Sequence, residues 1–121
     1  MKKHILLVDD ESEILEVLKQ ALTLEGYRVS TARSADEARK VAKSDPPDLI
    51  TTDLQLEDSD GFQLVEQMKL LLPDVPVILL TGMLFDPNVV EQSLSKKVSG
   101  YVSKASPLKS LLEEVRRHIG A

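Results

Sequence analysis

Ile5-Leu6-Leu7-Val8 is an unbroken apolar run that stops on two carboxylates, Asp9 and Asp10, and no other feature limits the fold of this chain so strongly. A strand that does not alternate has no face for water, so it must be covered on both sides. Leu49-Ile50 and Val77–Leu80 repeat the pattern, and Tyr101-Val102 repeats it more weakly. Between these runs the apolar residues take helical spacing. Ile14, Leu18 and Leu22 form one set; Ala35, Ala38, Val41 and Ala42 a second; Val65, Met68 and Leu72 a third; Leu108, Leu111, Leu112, Val115 and Ile119 a fourth. Ser34 with Glu37 and Asp60 with Gln63 fit capping boxes, and Asp86-Pro87 and Ser106-Pro107 place a cap residue before a first-turn proline. Gly26 and Pro73 fit helix exits.

This alternation of strand and helix, repeated five times, predicts a doubly wound α/β domain, (βα)5. Its five-stranded parallel sheet lies between two helical layers, three layers α/β/α, with right-handed crossovers. Arg28–Ala32 has only Val29 and Ala32 as apolar residues and belongs near a sheet edge. The 121 residues suit one domain spanning 1–121.

Charge and composition remove several functions. A net charge of -5 gives no basic footprint for nucleic acid or anionic lipid. With no cysteine, disulfides and thiolate metal sites are excluded. The apolar run after His4 is too short for a signal-peptide core or a membrane span. The expectation is a soluble, cytoplasmic protein that binds neither membrane nor nucleic acid.

In doubly wound sheets ligands sit beyond the carboxyl ends of the strands. There the chain places Asp9 and Asp10, then Asp53, then Thr81-Gly82, then Lys104. Three crowded carboxylates repel one another unless a cation joins them, and Mg²⁺ accepts one or two carboxylates and a carbonyl while keeping positions open. A carboxylate can attack a phosphoryl group once the charge of both anions is neutralised. Asp53, alone on the middle strand, is the candidate nucleophile. Lys104 offers a point charge and Thr81 a hydroxyl donor. Taken singly, each has a plainer reading as a loop acid, a helix cap or a surface lysine; the conjunction at four strand ends favours chemistry.

The segments Ile5–Glu11, Asp48–Leu54, Asp58–Gly61, Val77–Gly82 and Gly100–Lys104 resemble the receiver domain of two-component response regulators, from about Lys3 to Ile119. The resemblance implies a flavodoxin-like fold with strand order 2-1-3-4-5. It implies that Asp53 takes a phosphoryl group from a histidine kinase or phosphotransfer protein, and that Asp9, Asp10, Asp53 and the backbone carbonyl of Gln55 bind Mg²⁺. Thr81 and Tyr101 would be a switch pair, and the readout face would comprise the fourth helix, within Asn88–Lys97, the fifth strand and the last helix. Gln55 and Met83 match positions that tune phosphoryl lifetime in the family. Two departures stand out: Ala105 follows Lys104 where the family usually has a cis proline, and Glu57 stands where proline is common.

Other features have structural readings. Met83, Leu84 and Phe85 suit packing over the sheet edge or a helix. Arg116, Arg117 and His118 suit a helix C-terminus through its dipole. His4 and His118 lack a ligand pattern. A phosphatase is the enzymatic alternative, but familiar aspartate phosphatases space two aspartates two residues apart after the first strand, unlike Asp9-Asp10. A binding module of the same fold that is no longer phosphorylated is the other alternative. The expectation is a switch and not a multiple-turnover enzyme.

Overall fold

The structure is a computed structural model and describes residues 2–53, 56, 61–81 and 98–120. In chain order the elements are β1 (His4–Val8), α1 (Ser12–Leu24), β2 (Arg28–Ala32), α2 (Ala35–Ser44), β3 (Leu49–Thr52), α3 (Gly61–Leu71), β4 (Val77–Thr81), β5 (Gly100–Ser103) and α4 (Leu108–Ile119). The strands form one parallel sheet in the order β2-β1-β3-β4-β5. β2 stands at an edge, as its sparse apolar content predicts. The helix expected within Asn88–Lys97, Asp60 of the expected Asp60–Gln63 cap pair, Asp86-Pro87, and Met83–Phe85 lie outside the described residues.

Every residue of β1 and β3 is buried, the pattern of strands with no solvent face. Alternate residues divide between two cores. Leu6, Val8, Ile50 and Leu79 pack beneath α2 and α3 with Ala38, Ala42, Leu64 and Met68. Ile5, Leu7, Leu49, Ile78 and Val102 pack beneath α1 and α4 with Leu15, Leu18, Leu22, Leu111 and Val115. The buried side of α2 is alanine, so this helix spends little side-chain volume on the sheet.

The helix ends obey local chemistry with two adjustments. Ser34 Oγ accepts from Glu37 N–H at 3.2 Å, as in a capping box, but the Glu37 carboxylate returns to Arg33 N–H at 2.8 Å. Pro107, placed by sequence in the first turn of α4, is instead its cap: its ψ of 148° is extended and the helix starts at Leu108. α1 closes on Gly26, whose φ of +97° suits glycine; Gly26 N–H bonds Thr23 O and Tyr27 N–H bonds Leu22 O. This pair of bonds satisfies the last carbonyls and turns the chain into β2. Two packing expectations also shift by a residue: Leu15 is buried while Ile14 is only partly so, and Leu108 is 38% exposed at the start of α4.

Candidate functional site

β1 and β3 pair with Ile5 opposite Leu49 and Val8 opposite Thr52, so Asp9 and Asp53 would form the next rung. Both backbones are pinned. Asp9 N–H donates to Ala32 O at 3.1 Å and Asp53 N–H to Val8 O at 3.0 Å, while the Thr52 hydroxyl donates to Asp53 O at 2.9 Å. Asp53 is 5% exposed and Asp9 1%. Asp10, partly exposed, completes a set of three carboxylates whose nearest oxygens lie within 4.8 Å of one another.

Lys104 enters from the other side of the sheet. Its ammonium donates to Asp53 Oδ2 at 2.8 Å and to Glu11 Oε2 at 3.3 Å. Asp9 Oδ2 is 2.9 Å from the same nitrogen, close enough for an ion pair but off the line of a hydrogen bond, and that buried oxygen accepts none. The other Asp9 oxygen accepts from Glu11 N–H at 2.9 Å. Burial drives the Asp9 carboxyl above its ordinary range, against the opposing pull of Lys104. Burial also opposes charge on Lys104, but its hydrogen bond to Asp53 and the attraction of the adjacent Asp9 and Asp53 carboxylates outweigh that effect and hold the ammonium well above its ordinary value.

The loop carrying Lys104 is built without proline. No cis peptide occurs among the described residues, so the Lys104–Ala105 bond is trans. Ser103 folds the turn instead: its hydroxyl accepts from Ala105 N–H at 3.1 Å and its carbonyl from Ser106 N–H at 3.0 Å. The departure at Ala105 therefore leaves the lysine in reach of Asp53.

Of the other expected site residues, Thr81 ends β4 in register with Ser103, and only its backbone is described. Gln55 and Glu57 lie outside the described residues. Tyr101 sits on β5 opposite Leu79 and is 40% exposed. Sequence reasoning overlooked Glu11. A signal was available, because Glu is a poor helix cap, and Glu11 occupies the cap of α1 with no side-chain capping bond.

The sequence pattern of the response regulator receiver domain matches residues 5–116. The chain belongs to the receiver domain family. This receiver is 31% identical to the transcriptional regulatory protein KdpE of Staphylococcus aureus over 116 residues, which is 96% of this chain and 49% of KdpE. The receiver thus spans about half of that curated relative, and 18% of the transcriptional regulatory protein GlrR of Escherichia coli, to which it is 42% identical over 79 residues covering 65% of this chain. A CheY-like receiver from Methanospirillum hungatei has a TM-score of 0.90 at 32% identity, with 97% of this chain and 93% of that one covered. A Burkholderia pseudomallei response regulator, solved with a phosphorylated aspartic acid, a calcium ion and citrate, has a TM-score of 0.84 at 28% identity over 93% of this chain and 66% of its own. The fold is the expected flavodoxin-like one, and the chain is a receiver domain of the kind found in two-component response regulators. Among the described residues no helix is long and apolar enough to cross a membrane.

The acidic set fits a hard divalent cation. A buried carboxylate oxygen without a hydrogen bond, beside two more carboxylates, is an unmet demand for positive charge that a single ammonium does not fill.

Proposed function

We propose that Asp53 is the phosphoacceptor of this receiver and that a phosphohistidine of a histidine kinase or phosphotransfer protein is the donor. In the transfer the N–P bond of the donor breaks, its electron pair stays on the imidazole nitrogen, and an O–P bond forms to an Asp53 carboxylate oxygen. The observation that carries this reading is the nearly buried Asp53 carboxylate in charge-assisted contact with Lys104, 2.8 Å away, beside two further aspartates.

Asp9, Asp10, Asp53 and the Gln55 carbonyl would hold Mg²⁺. The bound ion supplies the charge neutralisation that lets an anionic nucleophile meet an anionic phosphoryl group. Lys104 accompanies Asp53 through the reaction: its ammonium pairs with the carboxylate beforehand and with a phosphoryl oxygen afterwards. The Thr81 hydroxyl donates to another phosphoryl oxygen, and the half-exposed Tyr101 ring follows it inward. That movement reaches the readout face, which includes β5 and α4 and engages an output domain or partner. The calcium ion and phosphorylated aspartic acid of the Burkholderia relative support this assignment. Residues 1–121 act as one cytoplasmic signalling unit that takes part in its own dephosphorylation without turning over an external substrate.

Intact-mass spectrometry with Mg²⁺ and a small acyl phosphate tests the reading. One phosphoryl group is added to the wild type and none to Asp53→Asn. Modification that persists in Asp53→Asn sinks the assignment.

A further inference from the structure

Among the described residues, Glu11 is the one exposed acid on Lys104. Its side chain is 57% exposed, whereas those of Asp9 and Asp53 are 2% and 8% exposed. An ammonium has three N–H directions. One is spent on Asp53 and one on Glu11, and the buried Asp9 Oδ2, although 2.9 Å away, is bypassed. The backbone gives the reason that Glu11 is within reach: its N–H is tied to Asp9 Oδ1, and its extended φ and ψ of -89° and 103° launch α1 from beside the carboxylates. Because the Glu11 side chain makes no capping bond, its contact with Lys104 is not a by-product of helix initiation.

We propose that Glu11 is a positioning residue for Lys104. By taking one hydrogen bond at the outer rim it holds the N–H directions of the ammonium on Asp53 and Glu11, so that the buried Asp9 Oδ2, although 2.9 Å from the nitrogen, accepts no hydrogen bond and keeps its lone pairs for a divalent cation. This rests on the reading of the site as an Mg²⁺-dependent phosphoacceptor. Without Glu11 the ammonium is free to move inward into line with Asp9 Oδ2, where burial makes a charge-assisted bond stronger. The lysine then competes with the cation for that oxygen.

The test is a double-mutant cycle read by Mg²⁺ titration of amide NMR shifts in the full chain. Glu11→Ala weakens Mg²⁺ binding about two- to fivefold, the range open to a partly exposed ion pair. In a Lys104→Met background the same substitution has less than half that effect. Glu11→Asp keeps the charge but shortens the arm, and it behaves like Glu11→Ala. Before Mg²⁺ is added, the Lys104 side-chain Nζ and Cε resonances shift in Glu11→Ala. Equal weakening with and without Lys104, or full retention of affinity in Glu11→Asp, overturns the proposal in favour of simple attraction between Glu11 and the cation. Wild type that binds no Mg²⁺ overturns the reading of the site, and this proposal with it; wild type that binds while Glu11→Ala binds equally well overturns only the role of Glu11.

Discussion

The two ends of the sheet are both rich in charge, yet they treat it in opposite ways. At the amino end, polar groups are matched. Buried His4 has Nε2 at 2.7 Å from Ser30 Oγ and Nδ1 at 3.4 Å from Pro46 O, and its backbone N–H donates to Asp48 at 2.7 Å. Asp45 takes both terminal nitrogens of Arg28, Tyr27 donates to Gly120 O, and Glu114 accepts from Arg117 and His118. Even Gly100 belongs to this end's order, because a Cβ there would collide with the Glu114 carboxylate. At the carboxyl end, Asp9, Glu11 and Asp53 share one ammonium and a buried oxygen goes unbonded. Matched charge holds the fold, whereas the surplus of acid at the other end fits an incoming cation.

The largest expected effect that can break this contrast is at His4. His4→Ala removes a fully buried ring and strands the Ser30 hydroxyl, so urea denaturation should show a loss of about 2 to 4 kcal/mol. Phosphorylation of the folded protein should be unchanged. A loss below about 1 kcal/mol would mean that the amino end is not the structural one. Asp9→Asn should act in the other direction. Burial disfavours the charged form of Asp9, so the neutral isostere should raise stability by about 1 kcal/mol when measured without divalent cations, while Mg²⁺ binding collapses. A destabilised Asp9→Asn would show that the carboxyl end is as well matched as the amino end.

Tyr27→Phe gives the smallest effect and the sharpest pH signature. Loss of the bond to Gly120 should cost about 1 kcal/mol at neutral pH. Burial raises the Tyr27 phenol above its ordinary value, so the folded protein keeps this proton where the unfolded chain releases it. The tyrosine contribution is therefore complete below about pH 10 and is lost as pH rises through the raised value. Melting curves of wild type and Tyr27→Phe should converge in that range, and a gap that stays constant from neutral to strongly alkaline pH would contradict the assignment.

Much of this was readable in the residues, for reasons that differ by element. β1, β3 and β4 are legible because burial on both faces demands uninterrupted apolar runs, and β2 is faint because an edge strand escapes that demand. The start of α4 was misread because the proline ring sets φ and leaves ψ free, so Pro107 can cap a helix as readily as begin it. The convergence of Asp9, Asp10, Asp53 and Lys104 at one end of the sheet was legible from their places at strand ends. The division of the Lys104 bonds was not, since it depends on how the turn at Ser103 aims a long, flexible arm. Glu11 escaped notice for the same reason: its significance lies in a side-chain direction that no spacing rule encodes.

The register of β1 against β3 has a consequence for how such a protein can change over evolutionary time. Asp9 and Asp53 continue a ladder whose rungs pair Ile5 with Leu49 and Val8 with Thr52, so the interval between them is inherited from the strand spacing of about 4.8 Å. Helix surfaces and distant loops can be rewritten without disturbing that interval. A single residue inserted within β1 or β3 turns one carboxylate to the opposite face of the sheet. Lineages of this domain are therefore free to diverge in what they touch, but they must preserve the length of two short strands to keep these two carboxylates side by side.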